Sequence, residues 1–346
     1  MRRAAAPFCL LLCLLVAACT RPSRRGVIEL VYASPYSPAH PFSRADQSWM
    51  EFVEKRSGGR IHIRPIWSGS LLSADQSMEE LRHGVADIGL VTPIYARGGA
   101  HLIRVQSGFY SGARTPETQV QLYRCMTQAS PEYARELKGL EVLAVQGGIL
   151  PGVVTRTRPV RGLADLKGLR LRAPSELLGV LRELGVDPVN MPMGEVYSAL
   201  AKGVLDGVIA PADTLSSLHF AEVAHYFSEL QVPRGAYPAR VMSSRRWQTL
   251  PSDVQRVLLE GIPVWEAALA HETEAAGARG LAAAEAGHVT VLPMDAADQA
   301  RFDALYLKDA ERSARSLSAY GIDGMAAFRA ARAGIQADGS ISCGRL

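Results

Sequence analysis

Short runs in which apolar and polar positions alternate are separated along the chain by longer stretches with helical spacing. Residues 28–32 read as a first strand, and 61–66 alternate as a second. Between them Trp49, Met50, Phe52 and Val53 share one face of a helix over 46–56, which Ser57-Gly58-Gly59 ends. Ser73 with Gln76 has the capping-box pattern and opens a helix to about residue 82. Residues 87–91 form an apolar run that Pro93 stops. Residues 116–137 have helical spacing, and 142–146 read as a strand. Leu169 to Arg172 alternates apolar and basic, Pro174 stops it, and Ser175 is placed to cap a helix over 176–184. A second helix covers 195–202, and 206–210 is a strand that ends at Pro211. Helical spacing returns over 218–227, and 239–242 is a strand. From Leu250 a further capping-box pattern opens an alanine-rich helix to about residue 286, with a kink expected at Pro263. At 1.5 Å per residue that helix is about 50 Å long. Residues 289–292 are a strand and 295–318 an amphipathic helix, and the polar tail from Gly334 is expected to be loose.

The chain nearly repeats itself. Leu81-Arg-His-Gly84-Val-Ala-Asp87 and its apolar run to Pro93 have the plan of Leu200-Ala-Lys-Gly203-Val-Leu-Asp206 and its run to Pro211. Each is a helix end, a glycine, a valine, one residue, an aspartate, an apolar run and a proline. The same α/β device used twice implies two lobes with strand tips facing a shared cleft, where open α/β sheets bind ligands. Gly147-Gly148 and Arg234-Gly235 are the expected crossings between lobes, flexible enough to hinge. The expected division is 27–148 plus about 236–275 for one lobe, and 149–235 plus about 276–333 for the other. Residues 334–346 are the tail. The fold class is α/β, a two-lobe clamshell crossed by the long helix.

Composition narrows the class. Of 346 residues 48% are hydrophobic and 21% charged, as in ordinary globular chains. Residues 1–19 read as an export leader: Arg2-Arg3 precedes a short apolar core, and Val16-Ala-Ala-Cys19 has the small residues of a lipobox. Cys19 is then the lipid-attachment site, 20–26 a linker, and the mature protein a periplasmic domain tethered to a membrane. Without the leader, 36 basic residues face 34 acidic ones, which is no nucleic-acid footprint. Cys125 and Cys343 remain, and an oxidising compartment leaves open whether they pair. No Cys/His spacing resembles a zinc site, no cofactor is expected, and neither a Gly-x-Ser-x-Gly elbow nor a P-loop occurs.

Arg172, at the strand tip before Ala173-Pro174, is the strongest candidate for chemistry. A guanidinium grips a carboxylate with two parallel hydrogen bonds, which fixes position and orientation. From the residues alone, a surface arginine paired with Asp165 or Glu176 is the plainer reading.

The run Lys167-Gly-Leu-Arg-Leu-Arg172-Ala-Pro174, followed by Glu195-Val-Tyr197 and Gly203-Val-Leu-Asp206-Gly207, resembles the solute-binding proteins of tripartite ATP-independent periplasmic (TRAP) transporters. The likeness extends more loosely from about residue 27 to 328. It implies that Arg172 clamps the ligand's carboxylate, and that the partners are a small organic acid and the membrane subunits of a secondary transporter. Two departures mark the site as less polar than the sialic-acid type. Gly152 falls nearest the place of a second arginine, and Ala210 stands where many members have asparagine. Met193 falls where the family puts an apolar wall. Asp213 lies at the tip of the strand at 206–210, and Tyr36, His40, Thr92, Tyr95 and Tyr110 lie at strand ends of the first lobe. Arg156 is a candidate second charge. A sensory receptor feeding a membrane kinase would use the same closure, and a periplasmic enzyme could be built on the same scaffold.

Overall fold

The computed structural model describes residues 26–96 and 98–343. The leader, Cys19 and most of the linker lie outside the described residues. Eleven strands among the described residues form two sheets. β1 (Ile28–Ala33), β2 (Ile61–Ile66), β3 (Ile88–Leu90) and β4 (Leu140–Gln146) belong to the first, with β10 (Tyr237–Ser243). β5 (Gly152–Thr155), β6 (Arg170–Arg172), β7 (Asp187–Val189), β8 (Gly207–Ala210), β9 (Tyr226–Ser228) and β11 (Thr290–Leu292) form the second.

The sheet orders are β2-β1-β3-β10-β4 and β7-β6-β8-β5-β9-β11. The first five positions correspond one for one. β1 is parallel to β2 and β3, as β6 is to β7 and β8. β10 runs antiparallel to both its neighbours, as β5 does. The two antiparallel strands are exchanged: the chain leaves the first sheet after β4 to supply β5 to the second, and leaves the second after β9 to supply β10 to the first. The near-repeat in the sequence is the stitch common to both halves. Asp87 accepts a hydrogen bond from the Val31 amide at 2.8 Å and Asp206 from the Arg170 amide at 2.7 Å. Each aspartate thereby joins the start of one parallel strand to the next. Gly84 and Gly203 precede them at φ +80° and +71°, the left-handed turn that glycine takes without strain.

Helix α1 (Pro41–Arg56) covers one face of the first sheet, and α2 (Pro116–Ala129) lies on the other side of that lobe. α3 (Ser252–Glu260) and α4 (Ile262–Ala286) form the long helical arm. Its break falls at Gly261, against Trp49, two residues before the expected kink. Pro263 sits in the first turn of α4, where its missing N–H breaks no helical bond. Trp265 stacks on Trp49 at 3.9 Å in the first lobe, while Ala284 is buried in the second. The arm therefore spans both. α5 (Ala296–Ser316) is capped by Asp295, whose carboxylate accepts from two backbone amides. α5 carries Phe302 and Tyr306 into the second lobe's core, but Ala310 onward and α6 (Gly324–Gly334) pack in the first. The tail is not loose: Cys343 is disulfide-bonded to Cys125 on α2, and Ile335 bridges Ile341.

Both expected capping boxes are absent. Glu80 takes the amide and hydroxyl of Ser73, and Gln255 donates to the carbonyls of Trp247 and Leu250. The stretch at 218–227 is not a helix but a 3₁₀ turn at Phe220–Glu222 leading into β9. The glycines at the first crossing are closely packed. A Cβ on Gly147 would lie 2.6 Å from the Pro116 carbonyl oxygen, and one on Gly148 would lie 2.6 Å from the Arg234 guanidinium carbon. Buried Gln119 holds both polar groups of the Gly148 backbone, at 2.8 and 3.0 Å. The pair permits close packing, and the crossing is clamped.

Candidate functional site

The strand tips of both sheets enclose a cavity of about 120 Å³ between the lobes. β6 delivers Arg172 to it. Register with β7 and β8 buries Leu171 and Arg172, leaves Arg170 exposed at the strand's start, and Pro174 turns the chain away at the rim. Arg172 is only 2% exposed. Its Nε donates to the Met191 carbonyl at 3.0 Å, its Nη2 to the Tyr95 hydroxyl, and its guanidinium lies 5.5 Å from the Tyr95 ring centre. It makes no ion pair among the described residues. Asp165 is engaged elsewhere, accepting from the amides of Arg161 and Gly162. Glu176 does face the cavity, but its carboxylate accepts from Ser107 across the lobes at 2.8 Å. Burial pushes the Glu176 carboxyl up, against the opposing effects of its hydrogen bonds and of Arg172.

The first lobe contributes an aromatic wall. Tyr36 and His40 stack at 4.0 Å, with Phe42 edge-on to both. His40 caps α1 by accepting the Phe42 amide on Nδ1, so its remaining N–H is on Nε2. Burial, reinforced by Arg240 and Arg44, lowers its pKa to about 3 and keeps the ring neutral. The Tyr36 hydroxyl has no hydrogen-bond partner among the described residues. Burial raises its pKa, and both Arg172 and Arg234 oppose that rise. Thr92 lines the cavity, but its hydroxyl donates to the Ala74 carbonyl. Asp213 follows β8, is 8% exposed, and is pushed up to about 6, chiefly by burial.

Of the expected residues, Arg172, Met193, Asp213, Tyr36, His40, Thr92 and Tyr95 line the cavity. Ala210 and Gly152 do not. They pair with each other inside the second sheet, and a Cβ on Gly152 would sit 2.4 Å from the Ser228 carbonyl oxygen. Pro211 and Ile209 form the wall beside them. Tyr110 is buried in the first lobe's core with its hydroxyl on the Ala236 carbonyl. The second cation at the cavity is Arg234; Arg156 instead lies against Gly203. Tyr237 and Glu176 also line the cavity. Arg234 stands in the second crossing and Tyr237 opens β10, so strand exchange brings both to the site.

The family model for bacterial extracellular solute-binding protein, family 7, matches residues 32–315. The chain belongs to that family. A solute-binding protein of Albidiferax ferrireducens is 27% identical over 216 residues, which span 60% of this chain and 62% of that relative's length. Two solved structures share the fold along nearly their whole length. A TRAP periplasmic solute-binding protein from Desulfovibrio salexigens is 29% identical with a TM-score of 0.71, over 88% of this chain and 95% of that one. It is an open complex with the C-terminus of a symmetry mate in its ligand-binding site. A TRAP solute-binding protein from Rhodoferax ferrireducens, with copurified benzoate, is 25% identical with a TM-score of 0.76, over 89% and 97%. This chain is thus built on the two-lobe fold of the family 7 solute-binding proteins.

Proposed function

We propose that this family 7 protein captures a small organic monocarboxylate in the periplasm and delivers it to the membrane subunits of a TRAP-type secondary transporter. Arg172 carries the reading. A guanidinium 2% exposed, with no acidic partner within ion-pair distance among the described residues, is costly to bury. A ligand carboxylate supplies the missing charge and the two-pronged geometry. The aromatic and aliphatic walls then take the body of the acid, and the Rhodoferax relative is in complex with copurified benzoate. Contacts from Tyr95 to Arg172, Ser107 to Glu176 and Ser175 to the Ile94 carbonyl draw the lobes together over the ligand. The protein acts by binding and release, without turnover and without a cofactor.

In the same reading the leader is removed and Cys19 is acylated, which tethers the receptor to a membrane. A tagged fatty acid fed to growing cells labels the wild type and not Cys19→Ser; equal labelling of both ends the lipoprotein claim. Native mass spectrometry of the purified protein tests the receptor itself. The expected adduct is a carboxylic acid that is lost in Arg172→Ala. A neutral adduct retained in that variant would overturn the reading.

A further inference from the structure

The polar groups at the cavity fall into two sets. Arg172, Tyr95, Glu176 and Ser107 form one. The other centres on Asp213, whose leading electrostatic partners are Arg234 and Arg279. Arg234 acts electrostatically on Tyr237, and both line the cavity. The Tyr36 hydroxyl feels both Arg172 and Arg234.

The second set is held rigidly from behind. Buried Asp46 takes the Tyr32 hydroxyl, the Trp265 indole N–H and the Arg240 Nε. Arg240 Nη1 donates to the side-chain oxygen of Gln146, which directs that amide's NH₂ group to the Tyr237 hydroxyl at 3.5 Å. With that donor on the phenol oxygen the Tyr237 proton is left to be given away, and Arg234 acts on the same group electrostatically. The Arg234 guanidinium lies against Gly148, whose backbone Gln119 clamps. Asp213 is fixed by α4: a Cβ on Gly280 would lie 1.9 Å from the Ala212 carbonyl oxygen and 2.9 Å from the Asp213 Cα. Ser217 supplies one hydrogen bond to the Asp213 carboxylate at 3.2 Å, and a carboxylate has room for about four.

We infer that Asp213, Arg234 and Tyr237 form a second polar subsite that takes a hydroxyl group of the ligand, so that the acid captured is a hydroxy-substituted monocarboxylate. The inference rests on the receptor reading above and adds a second point of recognition to it. An acceptor set beside two donors suits a group that both gives and takes a hydrogen bond, as a hydroxyl does. A second carboxylate would face the charge of Asp213. A bare hydrocarbon edge would leave the remaining hydrogen-bonding positions of these desolvated groups unfilled.

The test is calorimetric titration with matched acids: benzoate against 3- and 4-hydroxybenzoate, phenylacetate against 3- and 4-hydroxyphenylacetate, and isophthalate as a dicarboxylate. At least one hydroxylated acid is expected to bind about tenfold or more tighter than its parent, the worth of a hydrogen bond to a charged group. The readout in the variants is that ratio. It should collapse to about twofold or less in Asp213→Ala, with partial retention in Asp213→Asn, which keeps an acceptor oxygen but not the charge. Thermal melts confirm that each variant is folded. Equal affinities within each pair, a ratio unchanged in Asp213→Ala, or preferred binding of isophthalate would overturn the subsite while leaving an Arg172-dependent receptor standing. No binding by any of the acids, or binding that survives Arg172→Ala, overturns both.

Discussion

Truncating Arg172 to alanine tests the carboxylate clamp directly. The side chain is buried, is oriented by the Met191 carbonyl and the Tyr95 hydroxyl, and has no acidic partner within ion-pair distance among the described residues. In the bound state its charge is met by the ligand. Removing it leaves the ligand's carboxylate desolvated and unpaired, which costs about 2–5 kcal/mol for a buried, hydrogen-bonded charge pair. That is about 30-fold to a few thousand-fold in affinity at 1.4 kcal/mol per decade. Part of the loss belongs to the contact between lobes, and Tyr95→Phe isolates it at about 1 kcal/mol, the usual worth of one hydrogen bond. Arg172→Lys recovers only a fraction, because one ammonium cannot reproduce the planar fork. Arg170→Ala is the control: Arg170 is exposed on the same strand, 3.7 Å from Asp187, and its loss leaves affinity unchanged. The assay is calorimetric titration with the acid identified by native mass spectrometry. Wild-type affinity in a folded Arg172→Ala protein would refute the reasoning, and Arg234 would then be the cation to examine.

Two further predictions concern stability. The Asp213 carboxyl is raised from 3.8 to about 6, so the folded state holds that proton more tightly than the unfolded chain. Its contribution is full below about pH 4 and is lost as the pH rises to about 6, a difference of about 3 kcal/mol at 1.36 kcal/mol per unit. Asp213→Asn removes that slope, so chemical denaturation of the ligand-free protein should show the variant gaining on the wild type between pH 4 and 6 and remaining ahead at pH 7; parallel curves would refute the assignment. His40, lowered to about 3, slopes the opposite way in both proteins and cancels in the comparison. Cys343→Ser opens the bridge to Cys125, 218 positions away, and should cost about 2–4 kcal/mol, with reducing agent destabilising the wild type and not the variant. Identical unfolding curves would mean that the tail contributes nothing.

Most of the parallel half of each sheet was legible because its signals are local. Alternation, a glycine after a helix, an aspartate and a stopping proline recur at fixed spacing, and the aspartates proved to be stitches between strands. The strands that were missed, β5, β7 and β9, are short. β7 contains Pro188 at a sheet edge, and β9 lies in a segment whose apolar spacing also fits a helix. The two capping boxes failed because other groups competed for the same side chains: Glu80 for Ser73, and upstream carbonyls for Gln255. Arg172 could be named from its motif. Arg234 and Tyr237 could not, since they reach the cavity only through the path of the chain between lobes. The glycine pair at the first crossing shows the same limit from the other side. Sequence shows that a Cβ is missing, but not whether the space is left for motion or filled by a neighbour.

The exchanged strands also bear on how the molecule comes into being. In the first sheet β10 lies between β3 and β4, yet it is separated from them in sequence by all of β5 to β9. When the chain is being made, residues 28–146 emerge with a slot open in the middle of their sheet and raw edges on both sides of it. That slot closes only when residue 243 has followed, by which point nearly all of the second sheet exists as well. The halves therefore gain their native hydrogen bonds together, and heat or denaturant should take them apart in one cooperative step. A cut at the first crossing strips the first sheet of its inner strand β10 and leaves that strand on the fragment that carries the whole second sheet, so it does not yield two independent lobes.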